Sequence, residues 1–412
     1  MSNNNDTKIK KVEGETLKTF QEEIPSQYFS HKDEAAYRDY VKNAEFVYRE
    51  LFKFPPQMFR DAELIDFGAG TGENTVYLAN WGAKCTLVEM NQKAQDISKE
   101  VFRKYARNFD DHHFVCSSIF DYNPADNEKY DIVHCRAVLS HTAAKEAAFK
   151  KIAKLVKPGG FLIFGDPNKA GGFQNMLQRF AVYHFASTPD EMVKVCEFLF
   201  KEDIDRSEKF IPRTRRAIIF DRWVIQSQDD PSIAEVVNWM KNSGLRLYSS
   251  YPPFAIPLRG DSLHHQPKFD TASVSNLANL GVLTELVWML QTESDSEAFP
   301  KFTEGLTPFA EAFTNLTSCV ANFNKDTSLD VGRFQELSRS LAKSSDALNF
   351  LQPLREKLLR ALAEADEFVG LVYAADLDKL RKFIDKTEVL FKGACGMRHA
   401  DFIAYKPVEN KD

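Results

Sequence analysis

Over the first 250 residues, short apolar runs alternate with longer stretches whose apolar positions recur at helical spacing. Leu64-Ile65-Asp66-Phe67 predicts a strand that runs into a glycine turn, Gly68-Ala69-Gly70-Thr71-Gly72, and residues 75–81 predict a helix. Residues 83–88 predict a second strand, ending in Glu89, and 92–107 a helix. A third strand is expected at 113–116, and a fourth with its following turn at 130–141. The helix expected over 143–156 is stopped by Lys157-Pro158-Gly159-Gly160, and 161–168 predicts a fifth strand with its exit loop. After a start signal at Asp230-Pro231-Ser232, a helix runs to Gly244, and 245–251 predicts a sixth strand. Strands and helices in alternation predict an α/β chain with a doubly wound, mostly parallel sheet.

The flanks depart from this rhythm. Residues 1 to about 30 are polar and read as loosely ordered. Residues 33–51 predict an amphipathic helix, with Tyr37, Val41, Ala44, Tyr48 and Leu51 on one face. That stripe reads as core packing, or else as a flap over a ligand with Gln27, Tyr28 and His31 at its entrance. Residues 170–212 form a helical insertion carrying Phe173, Phe180, Tyr183, His184 and Phe185. Pro252-Pro253 then opens about 140 residues of mostly helical pattern, where Phe334, Leu337, Leu341, Leu348 and Leu351, and then Leu354, Leu358, Leu362, Ala365 and Val369, fall on core-facing stripes. Near the end, 401–406 alternates like a strand. The expected organisation is therefore a helical segment or flap at 1–60, an α/β domain at 61–261, a helical region at 262–390, and a closing strand and tail at 391–412. The helical region reads as an insertion before a seventh strand or as a separate C-terminal helical domain.

Composition narrows the class only a little. The 412 residues suffice for two domains, and 43% apolar with 27% charged residues is ordinary for a globular chain. A net charge of −6 argues against an extended nucleic-acid surface. The six cysteines, at 85, 116, 135, 196, 319 and 395, form no C-x-x-C pair, which suits a reducing cytoplasm and indicates neither zinc nor a disulfide framework. His264 and His265 lack an acid at fixed spacing, so no metal is expected. No signal peptide and no membrane span are read.

The candidate chemistry sits at the predicted carboxyl ends of the strands, where such sheets bind ligands. The glycine turn frees the backbone to approach a ligand, and Glu89 is placed to accept hydrogen bonds from both hydroxyls of a ribose. A dinucleotide site needs G-x-G-x-x-G. Here Gly68, Gly70 and Gly72 give G-x-G-x-G, preceded by Asp66. This resembles the first motif of class I S-adenosylmethionine-dependent methyltransferases. Asp66 to Glu73, Glu89, Asp131 to His141 and Leu155 to Asp166 follow in the order and at the intervals of that family, and the resemblance covers roughly residues 40–250. It looks closest to the branch containing ubiquinone and small-molecule methyltransferases, and it implies a Rossmann-like, seven-stranded sheet. It also implies S-adenosyl-L-methionine as cofactor, held by Asp66, Gly68, Ala69, Gly70, Thr71, Gly72, Glu89, Met90, Ser118, Ile119 and Arg136. Ser118 stands where the family usually has an acid for the adenine amino group, so Ile119 is the alternative contact, against the ring.

Expected chemistry is transfer of the sulfonium methyl to an oxygen or nitrogen, with positioning carrying most of the catalysis. His141, on the loop after the fourth strand, is the candidate base, or else a structural histidine capping the next helix. His134 is expected to be buried and hydrogen-bonded. Tyr28, Asp166, Tyr183, Arg215 and Arg216 are the candidate acceptor contacts. The cluster Arg213, Arg215, Arg216 and Arg222 reads either as an anchor for a carboxylate or phosphate or as a solvated face paired with Asp203, Asp205 and Asp221. The expected acceptor is a small or medium-sized metabolite, lipid precursor or sugar-linked compound. Two other readings remain open: methylation of RNA or protein docked by the helical region, and a non-catalytic scaffold. A homo-oligomer is compatible with the sequence.

Overall fold

A computed structural model describes residues 2–24, 28–29, 33–125, 129–210, 213–225, 228–254, 277–290, 306–321, 331–392, 396 and 399–406. His31, Gln27, His264, His265 and Cys395 lie outside the described residues. Seven strands form one sheet: β1 Glu63–Phe67, β2 Lys84–Glu89, β3 His113–Cys116, β4 Tyr130–Arg136, β5 Val156–Pro167, β6 Arg246–Tyr251 and β7 His399–Tyr405. Their spatial order is β3-β2-β1-β4-β5-β7-β6. The first five are parallel, and β7 runs antiparallel between β5 and β6.

Each face of the sheet buries its own apolar set. Leu64, Leu87, Ile132, Ile163 and Ile403 meet Phe102, Tyr48 and Tyr77 on one side, whereas Ile65, Phe67, Val133, Phe164 and Phe402 meet Phe149, Trp239 and Met240 on the other. Such two-sided burial explains why the central strands read as continuous apolar runs. Helix ends follow local chemistry. Ser232 and Glu235 form a reciprocal capping box at Ile233–Asn242, and Thr188 and Glu191 do the same at Pro189–Leu199.

Between β6 and β7 the described chain is helical, at Leu277–Leu290, Thr307–Ala321, Val331–Ser344, Gln352–Tyr373 and Leu377–Ile384. These helices share one core with the helices Phe173–Phe185, Pro189–Leu199 and Lys201–Phe210 that follow β5. Two segments far apart in sequence thus build a single helical lobe. The predicted stripes of Phe334, Leu337 and Leu341, and of Leu358, Leu362, Ala365 and Val369, are buried in it. Leu348 is buried from a 3₁₀ turn, Ser345–Leu351, that separates the two helices.

Three local expectations are corrected. The N-terminal stretch read as loosely ordered contains a helix, Ser2–Glu22, with Thr16 and Thr19 buried against the body. The helix expected over 33–51 is α-helical only through Glu34–Phe46, then widens into a π turn, Val47–Leu51, that buries Tyr48. The helix expected over 143–156 is shorter, Lys145–Ala153. Lys157-Pro158-Gly159-Gly160 belongs to the start of β5, where Gly159 has φ +83° and a Cβ on Gly160 would lie 2.7 Å from the Asp131 carbonyl oxygen. The paired glycines serve strand packing, and the helix ends before them, at Ala153.

Where the sheet meets the helical lobe, Glu285 is buried and its Oε1 accepts hydrogen bonds from Asn168 Nδ2 and the Ile233 N–H, both at 2.8 Å. Burial pushes its carboxyl from 4.5 up to about 7. In that window the folded chain holds a proton that the unfolded chain releases. The stabilising contribution is full below the unfolded value and is lost as pH rises through the folded one. Asp166, also pushed up to about 7 by burial, acts with the same sign. Glu285→Gln keeps an acceptor for both donors. It is expected to exceed wild type in stability at roughly pH 8 by about 2–3 kcal/mol, and to match it more closely at roughly pH 5, in urea unfolding curves at the two pH values.

Candidate active site

The carboxyl ends of β1, β2 and β4 open into a cavity of about 230 Å³. Its floor begins at the glycine turn. Gly68, Gly70 and Gly72 have φ of +67°, +54° and +73°, in the left-handed region. A Cβ on Gly68 would lie 2.4 Å from Val138 Cγ2, so the turn also needs glycine for space. Glu89, at the end of β2, points its carboxylate back at this turn. One oxygen accepts the Gly70 N–H and the other the Asn91 N–H, each at 2.8 Å. Burial raises its carboxyl, and the two N–H donors counter that rise. Both oxygens retain further acceptor capacity. Met90, Ser118 and Ile119 continue the wall. The Ser118 hydroxyl is engaged with Asp121 at 3.1 Å, and Asp121 pairs with Lys10 of the N-terminal helix at 2.6 Å.

Strand register sets the polar row of the floor. Asp66 of β1 lies beside His134 of β4. Asp66 Oδ1 is 2.7 Å from His134 Nδ1, Oδ2 accepts from the Thr75 hydroxyl, and His134 Nε2 is 3.0 Å from the Tyr48 hydroxyl. Two residues further along β4, Arg136 pairs with Gly165 of β5, which pairs with Asp401 of β7. The Arg136 guanidinium reaches across Gly165 to Asp401 with Nε at 2.5 Å and a second nitrogen at 3.2 Å. Burial works against the Asp401 charge, but Arg136 overrides it and holds the carboxyl well below the ordinary range.

The remaining walls come from outside the strands. Thr16 and Phe20 of the N-terminal helix lie over the loop after β4. The Thr16 hydroxyl donates to the His141 carbonyl at 3.3 Å, and the Phe20 ring meets the His141 imidazole edge-on with centroids 5.7 Å apart. The N–H groups of Tyr28 and Phe29 both donate to the buried Glu73 carboxylate. Tyr28 stacks on Tyr40 at 5.4 Å, and the Arg213 guanidinium lies 4.9 Å from the Tyr28 ring centroid while bonding Asp221 at 2.8 Å.

Of the sequence-derived candidates, Asp66, Gly68, Ala69, Gly70, Glu89, Met90, Ser118, Ile119, Arg136, His141 and Tyr28 line this one cavity. Thr71 and Gly72 are not among the lining residues; Gly72 faces Ser98 and Phe102 instead. Asp166 lies behind the wall, accepting from the Leu139 N–H and the Ser140 hydroxyl, and so supports the loop that carries His141. Tyr183 donates to the Val224 and Ile225 carbonyls within the helical lobe. Arg215 is bound by Glu197, Asp205 and Glu208, and Arg216 by Glu22, Glu23 and Asp190, and neither lines the cavity. Asp205 for Arg215, Asp221 for Arg213 and Asp203 for Arg222 are the partners that the solvated-face reading expected, whereas Glu197, Glu22 and Asp190 come from more distant helices. The reading missed Glu13, Thr16, Phe20, Ile24, Asn74, His134 and Asp221 as lining residues. It grouped Arg213 with Arg215 and Arg216, although only Arg213 reaches the cavity. The acid directly after the glycine turn, Glu73, was the available signal that something docks there.

Sheet order, antiparallel seventh strand and the glycine turn with its facing acid define a class I S-adenosylmethionine-dependent methyltransferase fold. Residues 37–198 match the family model described as a methyltransferase domain. A ubiquinone biosynthesis O-methyltransferase of Coxiella burnetii is 30% identical over 106 residues, 26% of this chain and 44% of that protein. The corresponding protein of Thiobacillus denitrificans is 26% identical over 145 residues, 33% of this chain and 60% of its own length. The chain thus spans about half the length of the curated relatives it matches. Among solved structures, magnesium protoporphyrin IX methyltransferase from Synechocystis PCC 6803 with bound SAH aligns over 56% of this chain and 78% of its own, at 14% identity and TM-score 0.30. A methyltransferase from Clostridium acetobutylicum aligns over 34% and 52%, at 20% identity and TM-score 0.25.

The cofactor of this class is S-adenosylmethionine, and the residues present fit it. The glycine turn keeps Cβ atoms off this part of the cavity floor, and Glu89 offers a fixed carboxylate at the cavity wall. Gly165 gives a test of the floor. A Cβ there would lie 2.0 Å from Asp401 Oδ1. Gly165→Ala is expected to break the Arg136–Asp401 pair and cost about 3–5 kcal/mol, because one buried charge then loses its partner. Thermal and urea unfolding of the variant check this.

Proposed function

We propose that this protein transfers the methyl group of S-adenosylmethionine to an oxygen or nitrogen of a small or medium-sized acceptor, such as a metabolite, lipid precursor or sugar-linked compound. One observation carries the reading: a single cavity holds both the Glu89 carboxylate, fixed by two N–H groups, and His141. The bound cofactor supplies a sulfonium methyl whose carbon–sulfur bond breaks as the acceptor atom attacks, leaving the neutral thioether. The chain's own residues do the rest. Glu89 holds the ribose hydroxyls, and Ser118, Ile119 and Met90 border the base. Asp66 and the Gly68–Gly70 backbone border the amino-acid end. Tyr28, Asn74 and Arg213 enclose the acceptor, and the His141 imidazole takes the proton that the acceptor atom releases.

The arginine cluster supports a small acceptor over a nucleic acid. Arg213, Arg215, Arg216 and Arg222 are each paired with carboxylates, which leaves no free basic face at that place. Among the described residues there is no group of three His, Cys, Asp or Glu side chains that could hold a metal, and no helix long and apolar enough to cross a membrane. We place the reaction in the cytoplasm, in keeping with the free cysteines at 85, 116, 135, 196 and 319.

Calorimetric titration with S-adenosylmethionine and, separately, with NAD tests the reading. Binding of the sulfonium compound at about micromolar Kd with none of NAD is expected. Binding of NAD alone, or of neither, overturns it. Gly70→Val, which forces a β-branched residue into a left-handed conformation, is expected to abolish that binding while circular dichroism stays unchanged. With an acceptor found by screening for methyl transfer, His141→Gln is expected to lower kcat by about 10²–10⁴ and leave cofactor affinity unchanged.

A further inference from the structure

The mechanism above leaves one buried polar group without a task. His134 stands in the middle of an apolar strand, 2% exposed, yet it lines the cavity. Its neighbours Val133 and Cys135 and its register partner Ile163 are all apolar and buried. An imidazole in such a place costs free energy unless both nitrogens are bonded. Here both are: Nδ1 to Asp66 at 2.7 Å, and Nε2 to the Tyr48 hydroxyl at 3.0 Å.

The Asp66 carboxylate only accepts, so Nδ1 carries a proton. Burial pushes the Tyr48 phenol well above its ordinary range, so it keeps its own. Tyr77, its hydrogen-bonded neighbour, is pushed up to about 12. If Tyr48 donates to Nε2, each proton points toward Asp66. Thr75 holds the second oxygen from below. The charges facing this chain are otherwise matched. Arg136, two residues along β4, is bound to Asp401, and Glu89 is fixed by N–H groups across the cavity. The π turn Val47–Leu51 belongs to the same arrangement, since it carries Tyr48 into contact with the sheet.

We infer that His134 is a positioning residue, which fixes the Asp66 carboxylate as the counter-charge for the cationic end of the cofactor, with Tyr48 fixing the imidazole tautomer. The inference rests on the methyltransferase reading and goes beyond it by assigning a role to His134 and Tyr48. It separates two kinds of ligand. S-adenosylmethionine carries a sulfonium and an ammonium, whereas 5′-methylthioadenosine shares the adenosyl group and sulfur and carries neither charge.

The test is calorimetric titration of the full chain and its variants with both compounds, together with nitrogen NMR of the histidine side chains. In wild type, the signal lost in His134→Asn is expected to show a proton on Nδ1 and none on Nε2. His134→Val removes the donor to Asp66 Oδ1 and leaves only Thr75, on Oδ2. It is expected to weaken S-adenosylmethionine about tenfold while 5′-methylthioadenosine stays within about twofold. His134→Asn, which keeps a donor, is expected to recover part of the loss. Equal weakening of both ligands, unchanged S-adenosylmethionine affinity, or a proton on Nε2 alone overturns the inference. Should the valine variant fail to fold, Tyr48→Phe reads the same relation, with a mixed tautomer and about fivefold weaker S-adenosylmethionine expected; an unchanged tautomer overturns the inference. Failure of wild type to bind S-adenosylmethionine at all is a different result, which overturns the methyltransferase reading itself.

Discussion

The pairing of Arg136 with Asp401 across Gly165 ties the two ends of the fold together. Arg136 belongs to the fourth strand, and Asp401 to a strand that the chain reaches only after the whole helical lobe. Asp401 is buried, so its charge is costly without Arg136, which is half-buried at the cavity floor. The native row of Arg136, Gly165 and Asp401 therefore requires β7 in one register, because a slip of one residue would turn Asp401 to the opposite face. Loop-closure entropy grows slowly with length, by about 0.6 kcal/mol for each doubling. A long excursion between β6 and β7 is thus compatible with a sheet that closes on its last strand.

The cavity divides along the same line. Its proposed cofactor half stands on strand ends and the glycine turn, where backbone N–H groups fix Glu89 and the His134 and Thr75 side chains fix Asp66. Its proposed acceptor half is assembled from the N-terminal segment and the helical lobe, with Tyr28 against both Tyr40 and Arg213. The first half obeys rules shared by any doubly wound sheet. The second depends on contacts between residues nearly two hundred positions apart, such as Tyr28 and Arg213.

That difference explains what was legible in the sequence. Asp66, Gly68, Gly70 and Glu89 announce themselves because their spacing reflects one strand, one turn and the next strand, all local. The buried stripes around Leu337 and Leu362 are equally local, and the structure buries them. Of the two readings of the arginine cluster, the pairing with Asp203, Asp205 and Asp221 is what the structure shows, for Arg222, Arg215 and Arg213, because those acids lie close in sequence. Arg216 was not legible, since nothing near it in sequence says that Glu22 and Asp190 arrive to neutralise it. Tyr183 misled for a similar reason, since an aromatic residue beside a predicted pocket is also an ordinary core residue of a helical lobe. The N-terminal helix was missed because its polar composition hides a face that is buried only when the cavity rim is present.

The cavity's charges are matched before any ligand arrives. Arg213 has Asp221, Arg136 has Asp401, Asp66 has His134 and Thr75, and Glu89 has two N–H groups. Groups held this way need little reorganisation when a charge develops or departs. Methyl transfer from a sulfonium removes a positive charge from sulfur and passes a proton to a base. An arrangement of fixed, paired charges with one carboxylate held at the floor suits that redistribution better than a set of free side chains. A free arginine or lysine at the floor would repel the sulfonium and favour the product state. The pairing of Arg136 by a strand from the far end of the chain keeps that cation turned to Asp401, and so leaves Asp66 as the charge that the cofactor meets.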